Sequence, residues 1–413
     1  MFPGAANARG AADTQPPMTL RLHKVTKQIE RLRDNAVQRA QRVQTELPRA
    51  REAFDRAAQQ GDLFEKARAA AESGWDGAMP AGNESLASFK EAPDLPTALA
   101  LVAVDGSQVY PDHHAASLFY AINIGFFLHR SDTGFTDAGS DPEIVFEEEA
   151  VHPDGNLISQ TILNARRTVE EMAELSRLAL AEKQAAPGRP ALALADGGIA
   201  LRIDEKAFPP AERGALQNKF FAAIDRLAAE KIPVAGYISR PGGSPVLALL
   251  ELAQEDAAEH FRGRKAERRA AFPDLDDSAL FERLLPPGAR SPLFEFSAYW
   301  NNLYRNREPN QSAHFFYLNV GRAYPVVARV EVPAWTAADP ALVDRVHAAL
   351  VDQCAVTLND PYPYALIRAD EEAFVSGEEK RYLEEQMAIA LIRGGMRVGR
   401  SEKLNHKGRA RKH

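Results

Sequence analysis

Cysteine is nearly absent: Cys354 is the one thiol in 413 residues. That excludes an intrachain disulfide and a four-thiolate zinc site, and it fits a reducing cytoplasm. A metal, if held, must sit on oxygen or histidine ligands. No apolar run approaches the ~18 residues a membrane span requires, so no membrane association is expected. Positive charge is not in excess either. Fifty Lys plus Arg face 57 Asp plus Glu, a formal net charge of −7, so a nucleic-acid partner would have to be met by local basic patches. Met1 to Pro17 has neither a basic n-region nor an apolar h-region; it reads as a disordered tail rather than a signal peptide, with Met18 as an alternative start.

What remains is ordinary for a globular chain, with 45% hydrophobic and 26% charged residues. Behind the tail (1–17), the apolar residues Leu22, Val25, Ile29, Leu32, Ala36 and Val43 recur at steps that mostly follow helical spacing. They predict a helical arm over 18–72, broken at Pro48 and resuming from Arg51 to Ala71. The arm packs on its own domain or makes a coiled-coil contact. A Gly- and Pro-containing linker follows over 73–97.

From residue 98 the pattern changes. Ala98 to Val104 is an unbroken apolar run, read as a buried strand that ends at Asp105-Gly106-Ser107. A strand over Leu118 to Leu128 and a helix from about Leu157 to Lys183 follow. Ala191 to Ala195 is again an apolar strand, again ending in Asp-Gly at Asp196. A helix over Ala211 to Glu230 and a strand over Pro233 to Ile238 make a β-α-β alternation, hence an α/β sheet. A charged helical insertion occupies about 251–295. Strands over Phe315 to Val320 and Pro325 to Val332 and a helix over Ala341 to Leu358 complete a domain spanning 98–375. The terminal helix (376–400) starts at Ser376 with Glu379 as its capping-box partner, and 401–413 is a basic tail.

Two strands thus each deliver an aspartate where the chain leaves the sheet, the position at which α/β proteins place ligand chemistry. Either Asp-Gly alone is adequately explained as a tight turn. Together, Asp105 and Asp196 would repel unless a cation lay between them. A hard divalent ion wants further oxygen ligands. Glu171, between the main apolar face of its helix and Leu175 and Leu178, is a half-buried candidate; the alternative is an i,i+4 ion pair with Arg167, worth ~0.3–0.5 kcal/mol. Tyr362 to Asp370 adds a tyrosine and a carboxylate in what composition alone makes a Pro-bearing turn with a solvated acid. His113 and His114 are adjacent on a strand, so at most one serves any site, and a zinc enzyme is not expected.

These segments, taken in order, resemble the NurA nuclease family: Val-Asp105-Gly-Ser, Arg167-Thr-Val-Glu-Glu171-Met, Ala-Asp196-Gly-Gly, Tyr237-Ile-Ser239, Arg329-Val-Glu-Val-Pro-Ala-Trp335, and Tyr362-Pro through Asp370. The resemblance extends from about Ala98 to Val375. It implies an RNase H-like mixed sheet with flanking helices, to which the helical arm and helical insertion are added. It also implies a Mn²⁺-dependent nuclease, with Mg²⁺ as the other candidate, acting on DNA ends and single strands in end resection. The implied state is a cytoplasmic, nucleoid-associated homodimer partnered by a HerA-type hexameric ATPase. The family's acidic residues map to Asp105, Glu171 and Asp196 as metal ligands and catalytic groups, and its late tyrosine to Tyr362. The chain departs from the family at Asp370, where histidine is common, and at Gly198, where serine is common. Asp370 remains a candidate fourth ligand.

For DNA contact the candidates are Tyr299, Trp300, Tyr304, Arg305 and Arg307, because aromatics interleaved with arginine stack bases and neutralise phosphates, with Arg240, just after Tyr237-Ile-Ser239, as a second phosphate candidate. The alternative for Tyr299 and Trp300 is packing beneath the inserted helices. Two other readings stay open: a non-catalytic DNA-end clamp on the same fold, and a Mg²⁺-dependent phosphoesterase with a small substrate.

Overall fold

The computed structural model describes residues 24–81, 84–112, 117–203, 207–254, 270–357 and 360–396. The expected tail (1–17), His113 and His114, part of the insertion and the basic tail (401–413) lie outside them.

Nine strands form one mixed sheet: β1 (Ala78–Pro80), β2 (Ala100–Val109), β3 (Tyr120–Arg130), β4 (Phe135–Val145), β5 (Ala191–Asp196), β6 (Val234–Ile238), β7 (Phe294–Phe296), β8 (Ala313–Asn319) and β9 (Val327–Pro333). Their order is β1-β7-β8-β9-β6-β5-β2-β3-β4. At its centre β2, β5 and β6 run parallel, while β2-β3-β4 is an antiparallel meander. The mixed sheet and flanking helices are those expected from the sequence. β4 was not anticipated, for a physical reason: it is the outermost strand, exposed along almost its whole length, so no apolar alternation marks it.

The helices are α1 (Thr26–Ala57), α2 (Leu63–Glu72), α3 (Glu148–Val151), α4 (Gln160–Ala185), α5 (Pro210–Ala229), α6 (Pro245–Gln254), α7 (Asp277–Leu284), α8 (Tyr299–Arg305), α9 (Ala334–Ala337), α10 (Pro340–Val356), α11 (Tyr364–Ala373) and α12 (Gly377–Arg393). Helices α4 and α5 cover one face of the sheet, burying Val102 and Val104 of β2 with Ala191 and Ala193 of β5. The opposite face, with Leu101, Ala103, Leu192 and Leu194, packs on α10 and α11. Ser159 caps α4 by accepting from the Ile162 amide, and the capping box of Ser376 and Glu379 is present at α12.

Two expectations change. Helix α1 does not stop at Pro48 but passes through it. An internal proline costs a helix about 3 kcal/mol; here Ala50, Ala53, Phe54 and Ala57, one face at i, i+3, i+4 and i+7, are buried against α6 and α7, and burying one Phe side chain alone contributes ~1.5–3 kcal/mol. The 73–97 segment is also more than a linker. It supplies β1, paired to β7, and buries Trp75, Met79 and Leu86 in the same core. Among the described residues no helix is long and apolar enough to cross a membrane.

Candidate active site

The register of the parallel pair places the two aspartates side by side, although β2 does not leave the sheet at Asp105 as expected: its pairing with β3 carries it on to Val109. Val104 is opposite Ala195, so Asp105 and Asp196 come next on neighbouring strands, which lie roughly 4.8 Å apart. Both share the side-chain parity of the face covered by α10 and α11. β5 stops at Asp196 while β2 runs on to Val109, and the space left by the shorter strand opens a cleft of about 640 Å³ lined by Asp105, Glu171 and Asp196.

Glu171 comes from the other side of the sheet, on α4. It reaches the cleft because residue 106 is glycine: a Cβ there would stand 2.5 Å from Glu171 Oε1. Arg167, one turn earlier, donates from Nη1 to Glu171 Oε1 at 2.7 Å and to the Gly106 carbonyl at 2.6 Å, and lies 4.0 Å from Asp105 Oδ1. The i,i+4 ion pair and the half-buried cleft position are therefore both real. Asp105 Oδ1 accepts from the Gly106 amide at 2.7 Å.

Burial raises the Asp105 carboxyl to about 6, with Asp196 and Asp370 adding repulsion against the relief given by Gly106 N–H and Arg167. Burial likewise raises Glu171 to about 7, Arg167 opposing and Asp105 and Asp196 reinforcing. Two neighbouring carboxyls raised in this way are ones a bound cation would stabilise in their charged form.

On the α11 side, the Tyr362 hydroxyl donates to Asp196 Oδ1 at 2.7 Å. Its ring meets Tyr237 edge-on at 5.3 Å, and Tyr237 is fully buried opposite Asp196 in β6. Burial, then the Asp196 charge, holds the Tyr362 hydroxyl well above its ordinary range. Asp370 is exposed on α11, close enough for its charge to act on Asp105. The Pro-bearing segment is thus a helix beyond Pro363 rather than a turn, because Ala365, Leu366, Ala369 and Ala373 bury one face of it.

Two residues of the cleft carried no separate signal in the sequence beyond a shared motif. Glu331 on β9, 3% exposed, accepts from Arg329 Nη2 at 2.9 Å and from the Ile199 amide at 3.3 Å. A Cβ at residue 198 would stand 2.7 Å from its Oε2, which accounts for glycine at 198: the carboxylate fills the space a serine side chain would occupy.

Of the residues proposed for DNA contact, Arg240 is exposed on a larger cavity of about 1380 Å³ that also reaches Tyr362, although Asp276, Glu282 and Asp360 line it too. Arg305 is held by Glu295 at 2.8 Å. Arg307 pairs with Asp225 at 3.2 Å and lies over the Phe221 ring. Tyr304 is buried, its hydroxyl donating to the Leu201 carbonyl at 2.8 Å, so its ring has no face to offer a base. Trp300 is half-buried against Phe296. Tyr299 is 90% exposed. The structure therefore does not gather these six into one DNA-contact surface.

The all-oxygen donor set and an acid charge that Arg167 only partly offsets fit a hard divalent cation. Among the described residues, no three acidic or histidine side chains already converge as an ion cage; Arg167 instead supplies positive charge beside Glu171.

Fold and site together define an α/β protein with an acidic cleft at the carboxyl ends of its central parallel strands. The NurA domain family matches residues 99–375, two thirds of the chain, and the chain belongs to that family. Among solved structures, a crystal structure of NurA with manganese is similar at 9% identity, covering 89% of this chain and 98% of that one, with a TM-score of 0.44. A crystal structure of NurA bound to dAMP and manganese is similar at 13% identity, covering 92% and 98%, with a TM-score of 0.35. No curated protein matches the chain.

Proposed function

We propose that the chain is a divalent-metal-dependent deoxyribonuclease that hydrolyses phosphodiesters at DNA ends and in single strands. The observation that carries this reading is the juxtaposition of Asp105 and Asp196 in one cleft with Glu171, with two of the three carboxyls held above their ordinary range. Asp105 and Asp196 would hold the ion, with Glu171 and Asp370 of α11 as the further carboxylates within reach of the cleft. Bound there, the ion supplies Lewis acidity toward the scissile phosphate and its attacking water. Tyr362 fixes the Asp196 carboxylate through its hydroxyl and leaves one carboxylate oxygen free. Arg167 stays bonded to Glu171 at 2.7 Å and to the Gly106 carbonyl at 2.6 Å and so positions that carboxylate at the cleft. With Asp370 where histidine is common, the donor set is oxygen throughout, and Mg²⁺ should serve nearly as well as Mn²⁺.

In this reading the enzyme cuts in the 5′–3′ direction, acts as a homodimer in resection of double-strand breaks, and works with a HerA-type hexameric ATPase. The sequence resemblance supports these assignments. The outer half of α1, which leaves Ile29 and Leu32 exposed, supplies an apolar stripe for one of the two contacts.

The test is cleavage of end-labelled single-stranded and duplex DNA in Mn²⁺, Mg²⁺ or EDTA by the wild type, Asp196→Asn and Asp370→Ala. Ion-dependent products from the wild type, none from Asp196→Asn, and a weakened ion dependence in Asp370→Ala are expected. A second reading, a DNA-end clamp that does not cut, is favoured by one observation: Glu171 is occupied by Arg167 and no preformed cage is present among the described residues. DNA binding without products in either metal would establish it instead.

A further inference from the structure

Three arginines line the acidic cleft: Arg167, Arg202 and Arg329. Two are committed to carboxylates, Arg167 to Glu171 at 2.7 Å and Arg329 to Glu331 at 2.9 Å. Arg202 differs. It is exposed, and among the described residues no carboxylate pairs with it; its guanidinium lies over the Trp300 ring, 4.7 Å from the centroid.

The segment that carries Arg202 is fixed at several points. It leaves β5 at Asp196, and its Ile199 amide is held by buried Glu331 at 3.3 Å. The Leu201 carbonyl accepts the Tyr304 hydroxyl at 2.8 Å, and the Ile199 and Leu201 side chains are buried. Trp300 and Tyr304, both on α8, thus hold a single arginine from two directions. A guanidinium stacked on an aromatic face keeps its N–H groups in the ring-parallel plane, free for a planar, forked acceptor.

We infer that Arg202 is the phosphate-binding residue of the cleft, and that it takes a phosphodiester of the DNA strand while α8 holds it in place. The chemistry requires such a group. A phosphodiester entering beside Asp105, Glu171, Asp196 and Glu331 meets like charge, and the other two arginines are already engaged. Bidentate guanidinium–phosphate pairing is the strongest single donor arrangement a side chain offers there. Tyr304 and Trp300 act on DNA through Arg202: they are positioning residues, and neither touches a base.

This inference rests on the nuclease reading above, and its test separates the two. Binding of a fluorescein-labelled single-stranded oligonucleotide is measured by anisotropy in EDTA across a salt series, for wild type, Arg202→Gln, Arg202→Lys and Trp300→Leu, with thermal melts as a folding control. Neutralising one phosphate contributes roughly 0.7 to the slope of log K against log salt for single strands. Arg202→Gln should lose affinity on the order of tenfold, with the slope shallower by about 0.7. Arg202→Lys should keep the slope and lose less affinity. Trp300→Leu should keep the slope too, because the charge remains while its placement loosens. A wild type that binds and cuts, with Arg202→Gln matching it in affinity and slope, overturns the inference and leaves the nuclease reading standing. Should Arg202→Gln fail to fold, Arg202→Lys decides: unchanged affinity at every salt concentration overturns the bidentate contact. A wild type that neither binds nor cuts DNA overturns both.

Discussion

Replacing Asp105 by asparagine should make the metal-free protein more stable and the metal-dependent protein inactive. Asn is nearly isosteric, and its Oδ1 still accepts the Gly106 amide, which lies 2.7 Å from Asp105 Oδ1. The folded state holds the Asp105 carboxyl at about 6 against an ordinary 3.8. At ~1.4 kcal/mol per pKa unit, this is on the order of 3 kcal/mol working against the folded, ionised state. The sign follows from linkage. Between pH 4 and 6 the folded protein binds the proton that the unfolded chain has released, so stability falls as pH rises through that window and stays reduced above it. Glu171, raised to about 7 from 4.5, extends the loss to pH 7. Asparagine keeps the desolvation of a polar group but not of a charge, so about 1–2 kcal/mol should be recovered at pH 8 and almost none at pH 4. The assay is urea unfolding of wild type and Asp105→Asn at pH 4, 6 and 8 in EDTA, then with Mn²⁺. Mn²⁺ should raise the wild-type midpoint and leave the variant's nearly unmoved, because binding to the native state stabilises by mass action. An Asp105→Asn protein no more stable than wild type at pH 8, or equally shifted at pH 4 and 8, would refute the argument that charge is stored in the cleft.

Gly106→Ala should lower activity without replacing any acidic residue, since its Cβ would stand 2.5 Å from Glu171 Oε1 and push that carboxylate off its bond to Arg167; cleavage at or near the wild-type rate would show that this placement of Glu171 is not needed for the chemistry. Tyr362→Phe keeps the edge-on contact with Tyr237 but removes the 2.7 Å bond to Asp196. It should therefore lower the cleavage rate more than it lowers stability, a loss of ~1 kcal/mol being typical of one hydrogen bond, and paired melting and rate measurements read the two effects separately.

Strands with a clear local pattern were legible in the sequence. Unbroken apolar runs marked β2 and β5 because both faces of those strands are buried, and each ended in the aspartate the structure finds in the cleft. The helical period marked α4, and the Ser376–Glu379 capping box marked the start of α12. β4 was invisible because an exposed edge strand needs no apolar alternation, and α1 overran Pro48 because packing outweighs a local penalty that the sequence displays plainly. The nuclease family itself was legible only from motifs in order, since neither composition nor net charge distinguishes the chain.

Tertiary structure alone decided how the cleft is built. Glu171 is 66 positions from Asp105, and sequence spacing does not say that Gly106 admits it from the opposite face of the sheet. Glu331 explains Gly198 only because β9 lies beyond β6 with Glu331 opposite Gly236. Tyr304, read from the sequence as a DNA-contact residue, is buried against the Leu201 carbonyl, and half-buried Trp300 lies under Arg202, a residue with no local signature. Local pattern fixes which face of an element is buried; which charges meet, and which arginine lies over an aromatic ring rather than against a carboxylate among the described residues, depends on contacts between residues about a hundred positions apart, and those exist only after the sheet has closed.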